Sequence, residues 1–313
     1  MNAKQEFLLG LVGYPLSHSL SPLIHQAALK TLGLGGDYRL YPISPLPAGE
    51  EDLDALLQRV RSGELHGLNV TIPHKQAVLP RMHSLSTSAR DTGAVNTIYA
   101  AGGLLVGDNT DVAGFQRDLS ARLPPGKAAG QALVLGAGGS ARAVIYALSR
   151  SGWQVNIAAR RVSQAQQLVE SLLGSAVRSG SANGHFDLQW KKMAVLELSV
   201  NGLEGFLNRL TDHDHLALVV NTTPVGMAPE GDASPWPEEI PFPRQAFVYD
   251  LVYNPSETRL VRAACQSGLK AANGLGMLVE QAALSFERWT GLPAPRGAMA
   301  ESVMLDRWNA ASS

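Results

Sequence analysis

Short apolar runs alternate along the chain with longer stretches in which apolar side chains recur every three to four positions. Residues 7–12 read as a buried strand. Residues 22–32 carry the helical period, with Ser21 as N-cap and Pro22 in the first turn. Residues 38–42 predict a second strand, 53–61 an amphipathic helix stopped at Gly63, and 67–72 a third strand ended by Pro73. Strands separated by helices predict parallel βαβ units. Pro124-Pro125-Gly126 then punctuates the chain. Beyond it, 132–135, 155–159, 216–220 and 247–251 predict strands, and 141–151, 163–173, 258–268 and 275–290 predict helices. Residues 174–183 are rich in Gly and Ser, and 228–243 hold five prolines; both read as solvated loops. The expected fold is α/β with two domains. Residues 1–115, completed by helices in 274–313, form one domain. Residues 116–273 form a Rossmann-type domain.

Composition narrows the function. A chain of 313 residues suits about two domains of about 150 residues. Lys plus Arg number 26 and Asp plus Glu 27, a net charge of -1, so no global field favours nucleic acid or an anionic membrane as partner. The N-terminal apolar run is short and no small-residue cleavage site follows it. No run reaches the roughly 18 apolar residues of a membrane span. The single cysteine, Cys265, excludes an internal disulfide framework and a multi-cysteine zinc site, and a reducing cytoplasmic location is expected. Cys265 itself falls in a helical stretch and reads as a small packing residue. Asp212-His213-Asp214-His215 looks metal-binding, but adjacent side chains rarely aim at one ion, so no metal site is expected.

Gly136-Ala137-Gly138-Gly139-Ser140-Ala141 fits the G-x-G-x-x-G/A fingerprint between a strand and a helix. Glycines there let the chain turn sharply and let a pyrophosphate reach the amides of the helix N-terminus. At the end of the following strand, an NAD site usually places an acid to hold the ribose hydroxyls. This chain has Arg160 and Arg161, whose guanidinium groups suit a 2′-phosphate. NADP(H) is therefore expected over NAD(H), with Arg160 the first contact because it directly follows the strand.

Three polar clusters end apolar segments before this fingerprint. They are Ser17-His18-Ser19-Leu20-Ser21-Pro22, Asn69-Val70-Thr71-Ile72-Pro73-His74-Lys75, and Gly93-Ala94-Val95-Asn96-Thr97 followed by Gly107-Asp108-Asn109-Thr110-Asp111. Hydroxyls, amides, one lysine and one aspartate suit a small polyhydroxylated substrate. His74 reads as a wall residue beside Lys75. With these motifs the chain resembles the shikimate dehydrogenases. The resemblance continues through Asn221-Thr222-Thr223-Pro224-Val225-Gly226-Met227, Tyr249-Asp250-Leu251-Val252-Tyr253-Asn254-Pro255 and the stretch from Asn273-Gly274 to Gln281-Ala282-Ala283.

The resemblance implies reduction of the ketone of 3-dehydroshikimate to shikimate, usually with NADPH, in aromatic amino-acid biosynthesis. It implies Lys75 and Asp111 as the catalytic pair. It implies Ser19, Ser21, Thr71, Asn96, Tyr253 and Gln281 as substrate contacts. Cofactor contacts would be Gly136 to Ala141, Arg160, Arg161, Thr222, Met227 and Gly274, with Met227 and Gly274 near the nicotinamide. The residue types agree with this chemistry. An alkoxide developing at the carbonyl needs a proton and a nearby positive charge. Lys75 can supply both, and Asp111 can hold the ammonium. Ala159-Arg160-Arg161 departs from the family's usual Asn-Arg-Thr, and Thr223 stands where serine is common. Two alternatives stay open: a quinate/shikimate dehydrogenase using NAD(P), and a non-catalytic dinucleotide-binding regulator on the same fold. Apolar helical faces leave a homodimer open.

Overall fold

The structure is a computed structural model that describes residues 6–123, 129–178, 193–210, 215–228 and 231–311; for 176–178 and 305–311 it describes the helical backbone alone. Pro124-Pro125-Gly126, residues 179–183 and Asp212-His213-Asp214 lie outside the described residues. The strands are β1 (Glu6–Gly13), β2 (Gly35–Pro42), β3 (Gly67–Val70), β4 (Ser84–Leu85), β5 (Thr97–Ala101), β6 (Leu104–Asp108), β7 (Gln131–Leu135), β8 (Gln154–Ala159), β9 (Val195–Glu197), β10 (Leu216–Asn221), β11 (Phe247–Asp250) and β12 (Ala271–Ala272). The helices are α1 (Ser21–Thr31), α2 (Glu50–Arg61), α3 (Thr87–Thr92), α4 (Thr110–Arg122), α5 (Gly139–Arg150), α6 (Val162–Arg178), α7 (Val200–Leu207), α8 (Arg259–Gln266), α9 (Leu275–Thr290) and α10 (Arg296–Ala311). They divide into two units, Met1–Gly114 with Leu278–Ser313, and Phe115–Met277.

The sheet of the first unit runs β2-β1-β3-β5-β6-β4. β1 pairs in parallel with β2 and β3, as the βαβ pattern requires. The sheet is nevertheless mixed, because β5 lies antiparallel to β3 and to β6. Gly102 and Gly103, both at positive φ, reverse the chain between β5 and β6 in two residues, too few for a crossover helix. α2 covers this sheet with Leu53, Leu56, Leu57 and Val60, which join Val12, Leu68 and Ile98 in one core.

The sheet of the second unit runs β12-β11-β10-β7-β8-β9, every pairing parallel. Read from β9, this is the doubly wound order in which a nucleotide sits where the strand order reverses, here between β7 and β10. Leu133, Val219 and Val248 of neighbouring strands are fully buried in its core.

Several local expectations change. The third strand ends at Val70, and Thr71 makes the last ladder bond, to Val12 O. Ser21 is inside α1 and caps nothing; the Ser19 hydroxyl instead accepts from the Ser21 amide. Residues 174–178, expected as loop, belong to α6, where packing of the helix face outweighs the glycine. The proline-rich stretch is not simply solvated: Trp236 and Ile240 are buried in the core, with Trp236 stacked on Phe242. Cys265 lies in α8 but is exposed, so it does not pack as expected. The pattern also missed β4, β5, β6, β9, β12, α3, α4, α7 and α10.

Candidate active site

Strand polarity gathers the three clusters at one edge of the first sheet. β1 and β3 are parallel neighbours, so the segments leaving them, Tyr14 to Ser21 and Thr71 to Lys75, emerge side by side. The two loops are tied by Tyr14 N–H to Ile72 O at 2.9 Å. Asn69 of β3 faces Thr97 of β5, and Thr97 faces Asp108 of β6. Asn96 and the start of α4 therefore reach the same edge.

There Lys75 Nζ donates to Asp111 Oδ2 at 2.6 Å. Their side chains are 14% and 9% exposed, so the pair is screened from water and still reachable. Leaving either charge alone there would cost several kcal/mol, roughly 3–5 by analogy with buried pairs. Asn96 Nδ2 donates to Asp111 Oδ1 at 2.8 Å. Both carboxylate oxygens thus accept from donors, while Lys75 keeps further protons to give. Gln281 of α9 joins the group, its Oε1 3.4 Å from Asn96 Nδ2. Gly114 makes this approach possible: a Cβ there would lie 2.8 Å from Gln281 N. Ser19 and Thr71 are half-buried on the two loops, and Ser21 is buried in the first turn of α1. His74 is not a wall residue. It is fully buried, and its Nε2 bonds Ile43 O at 2.8 Å, which ties the Lys75 loop to the chain after β2.

The second unit builds a dinucleotide turn. Gly136 directly follows β7 at φ +106, a conformation that favours glycine. A Cβ there would fall 2.8 Å from Thr222 Oγ1 and from Thr223 Cγ2, at the end of β10. The Thr222 hydroxyl donates to Leu135 O at 2.7 Å, which joins the two strand ends at the reversal point. Gly138 is the N-cap of α5 and Gly139 its first residue; nothing lies within 4 Å of a Cβ on either. Open space above bare amides at a helix N-terminus fits a pyrophosphate. Arg160 and Arg161 directly follow β8, both exposed; β8 itself ends in Ala159, and Glu197 closes the neighbouring β9 in register with it. This donor set fits a 2′-phosphorylated dinucleotide. Met227 is 48% exposed, and Gly274 packs so closely on Leu251 O that no side chain fits. Tyr253, half-buried, sits in the loop after β11 and belongs to the second unit, whereas the Lys75 group belongs to the first.

Sequence reasoning put Asn69, Thr97 and Thr110 in the polar clusters without giving them a role, and it missed Ser285; all four are buried and hydrogen-bonded to one another or to Asn96. In the second unit, Asn221, Asp250 and Thr258 form a similar buried group, with Asn221 Nδ2 donating to Asp250 Oδ1 at 2.8 Å. Burial raises the Asp250 pKa, against the three donors that lower it. The signal available was a polar residue at a position where strand or helix period demands an apolar one.

Comparison with known proteins shows the family. Residues 11–98 match the profile of the shikimate dehydrogenase substrate binding domain, and residues 274–304 that of the shikimate 5'-dehydrogenase C-terminal domain. The NADP(+)-dependent shikimate dehydrogenase of Salinibacter ruber is 38% identical over 96% of this chain and 97% of its own. The chain belongs to the shikimate dehydrogenase family. Shikimate 5-dehydrogenase from Thermus thermophilus, solved with NADP(H) and shikimate, superposes with a TM-score of 0.77 at 37% identity, covering 95% of this chain and 98% of its own. Quinate dehydrogenase from Corynebacterium glutamicum, solved with NAD, superposes with a TM-score of 0.81 at 32% identity, covering 96% of this chain and 99% of its own. Among the described residues, no helix is long and apolar enough to cross a membrane. No group of three or more His, Cys, Asp or Glu could hold a metal there.

Proposed function

We propose that this chain is an NADP-dependent shikimate dehydrogenase, reversibly reducing the ketone of 3-dehydroshikimate to shikimate. The Lys75–Asp111 pair at 2.6 Å carries the reading, since it holds a lysine side chain among polar groups at the strand ends. The bound dinucleotide supplies the hydride. Lys75 gives the carbonyl oxygen its proton during reduction and takes it back during oxidation. Asp111, with both oxygens occupied by donors, holds the Lys75 side chain in place. Asn96 and Gln281 offer amide groups beside the pair to ring hydroxyls, and Ser19 and Thr71 on the neighbouring loops and Ser21 at the start of α1 offer hydroxyls. Tyr253 is carried as a substrate contact on family likeness alone. Gly136 to Ala141 and Thr222 would cradle the pyrophosphate, Arg160 and Arg161 the 2′-phosphate, and Met227 and Gly274 the nicotinamide end. A cytosolic enzyme agrees with the lone cysteine.

Absorbance at the reduced-nicotinamide band tests the proposal, with shikimate and quinate each paired with NADP+ and NAD+. Rapid reduction with shikimate and NADP+ alone is the expected result. Turnover of quinate, or a preference for NAD+, would move the chain towards the quinate dehydrogenases. No turnover in a folded protein that binds dinucleotide would favour a regulator.

A further inference from the structure

Behind the Lys75–Asp111 pair lies a buried polar chain that the reaction itself does not use. Its orientation follows from groups that can only donate or only accept. The Thr110 backbone N–H donates to the Asn96 carboxamide oxygen at 2.8 Å, which turns the Asn96 NH2 towards Asp111. The Asn96 backbone carbonyl accepts from Asn69 Nδ2 at 3.1 Å, which fixes the Asn69 amide, and Asn69 Oδ1 takes the Tyr38 hydroxyl proton at 2.9 Å. The second Asn69 proton points at Ser285 Oγ, 3.0 Å away. Ser285 Oγ lies 2.7 Å from Thr97 Oγ1, and Thr97 Oγ1 donates to Asn96 Oδ1 at 2.9 Å.

Tyr38 therefore donates to Asn69, Asn69 to Ser285 and Ser285 to the Gln281 carbonyl, while Thr97 donates to Asn96 and Asn96 to the Asp111 carboxylate; the two runs meet where Ser285 Oγ lies 2.7 Å from Thr97 Oγ1. Bonds aligned in this way strengthen one another in a dry interior. Ser285 is the junction. It is fully buried, on α9 one turn after Gln281, whose carbonyl is 3.0 Å away; Thr110 Oγ1 of α4 lies at 3.2 Å. Its hydroxyl touches residues of β3, β5, α4 and α9, the elements that present the candidate substrate pocket.

We propose that Ser285 and Thr97 are positioning residues. They hold the Asn96 carboxamide with its NH2 on Asp111, and so keep Asn96, Gln281 and the catalytic pair in the register that receives substrate. This inference rests on the functional reading above. Without the Ser285 hydroxyl, the Gln281 carbonyl and the Asn69 NH2 each lose a partner and α9 loses its 2.7 Å contact with Thr97; without the Thr97 hydroxyl, the Asn96 amide loses one of the bonds that prevent it from rotating.

The test compares wild type with Ser285→Ala, Ser285→Cys and Thr97→Val. Cysteine keeps the side-chain size and bonds weakly; valine keeps the shape of threonine without the hydroxyl. Expected is a fall of roughly tenfold in kcat/KM for shikimate, mostly through KM, the weight of one buried hydrogen bond. NADP+ affinity, measured by titration without substrate, should stay within about twofold, a small fraction of one hydrogen bond. A lowered melting temperature with shikimate KM unchanged would make the two hydroxyls structural only and overturn the proposal. Should Ser285→Ala give no folded protein, Thr97→Val on its strand decides alone. A wild type that does not turn over shikimate sinks the functional reading, and this inference with it.

Discussion

Lys75 and Asp111 are separated by 36 positions in sequence and 2.6 Å in space, and the consequences of removing either differ. In the proposed reaction, Lys75→Ala removes the proton donor and the positive charge at the carbonyl oxygen together. Steady-state assay should show kcat lower by roughly 10²–10⁴-fold, the usual weight of general acid catalysis. Dinucleotide titration should show unchanged NADP+ affinity, because no cofactor contact is expected at Lys75; a parallel loss of affinity would argue against a purely chemical role. Arg160 is exposed and follows β8. Arg160→Ala should raise KM for NADP+ by about 10–100-fold, equivalent to one charge-assisted hydrogen bond, and leave KM for NAD+ unchanged. Equal effects on both cofactors would remove the 2′-phosphate assignment. At this scale residue type was legible: a lysine, an aspartate and two arginines each carried a chemical suggestion. Which hydroxyls stand behind Asn96 was not: Thr97 and Thr110 lie in the polar clusters with nothing local to mark a supporting role, and Ser285 sits in an otherwise ordinary helical stretch.

The turn between β7 and α5 contains glycines of two kinds. Gly136 is bound by backbone conformation and by the nearness of Thr222 and Thr223, whereas Gly139 has open space where a side chain would be. Gly136→Ala should destabilise the fold by at least about 1 kcal/mol in a denaturant titration, through strain at positive φ. Gly139→Ala should leave the melting temperature unchanged and weaken dinucleotide binding, because its Cβ occupies the space above the helix amides. A stable Gly136→Ala or a tightly binding Gly139→Ala would contradict this division. The fingerprint itself was readable from spacing, since a strand, a glycine turn and a helix are consecutive in sequence. The β5–β6 hairpin was passed over because its Gly102-Gly103 signal sits within a chain that otherwise alternates strand and helix. The proline-rich stretch misled in the opposite sense: its prolines suit a loop, yet Trp236 and Ile240 anchor that loop in the core.

Stability of the whole molecule has a pH dependence traceable to one buried group. His25 is stacked on Tyr38 with ring centroids 4.3 Å apart, and among the described residues neither ring nitrogen has a hydrogen-bond partner. Burial lowers its pKa from 6.5 to about 3; the Asn69 side chain opposes the shift from outside bonding geometry. The unfolded chain therefore takes up a proton before the folded one does. The stability that neutral His25 brings is complete above pH 6.5 and is lost as the pH falls from 6.5 towards about 3. The limiting slope is about 1.4 kcal/mol per pH unit. Urea unfolding of His25→Phe, compared with wild type across that window, should show a shallower fall; identical slopes would place the titration elsewhere. From sequence alone came the fold class, the nucleotide turn and the candidate chemical groups, because periodicity, glycine spacing and residue type are local properties of a chain. The tertiary structure decided the mixed sheet, the exposure of Cys265 and the bond between Asn69 and Ser285, 216 positions apart. Such pairings leave no period in the sequence: they arise only when strand order and helix packing exclude water and leave each buried donor one acceptor to find.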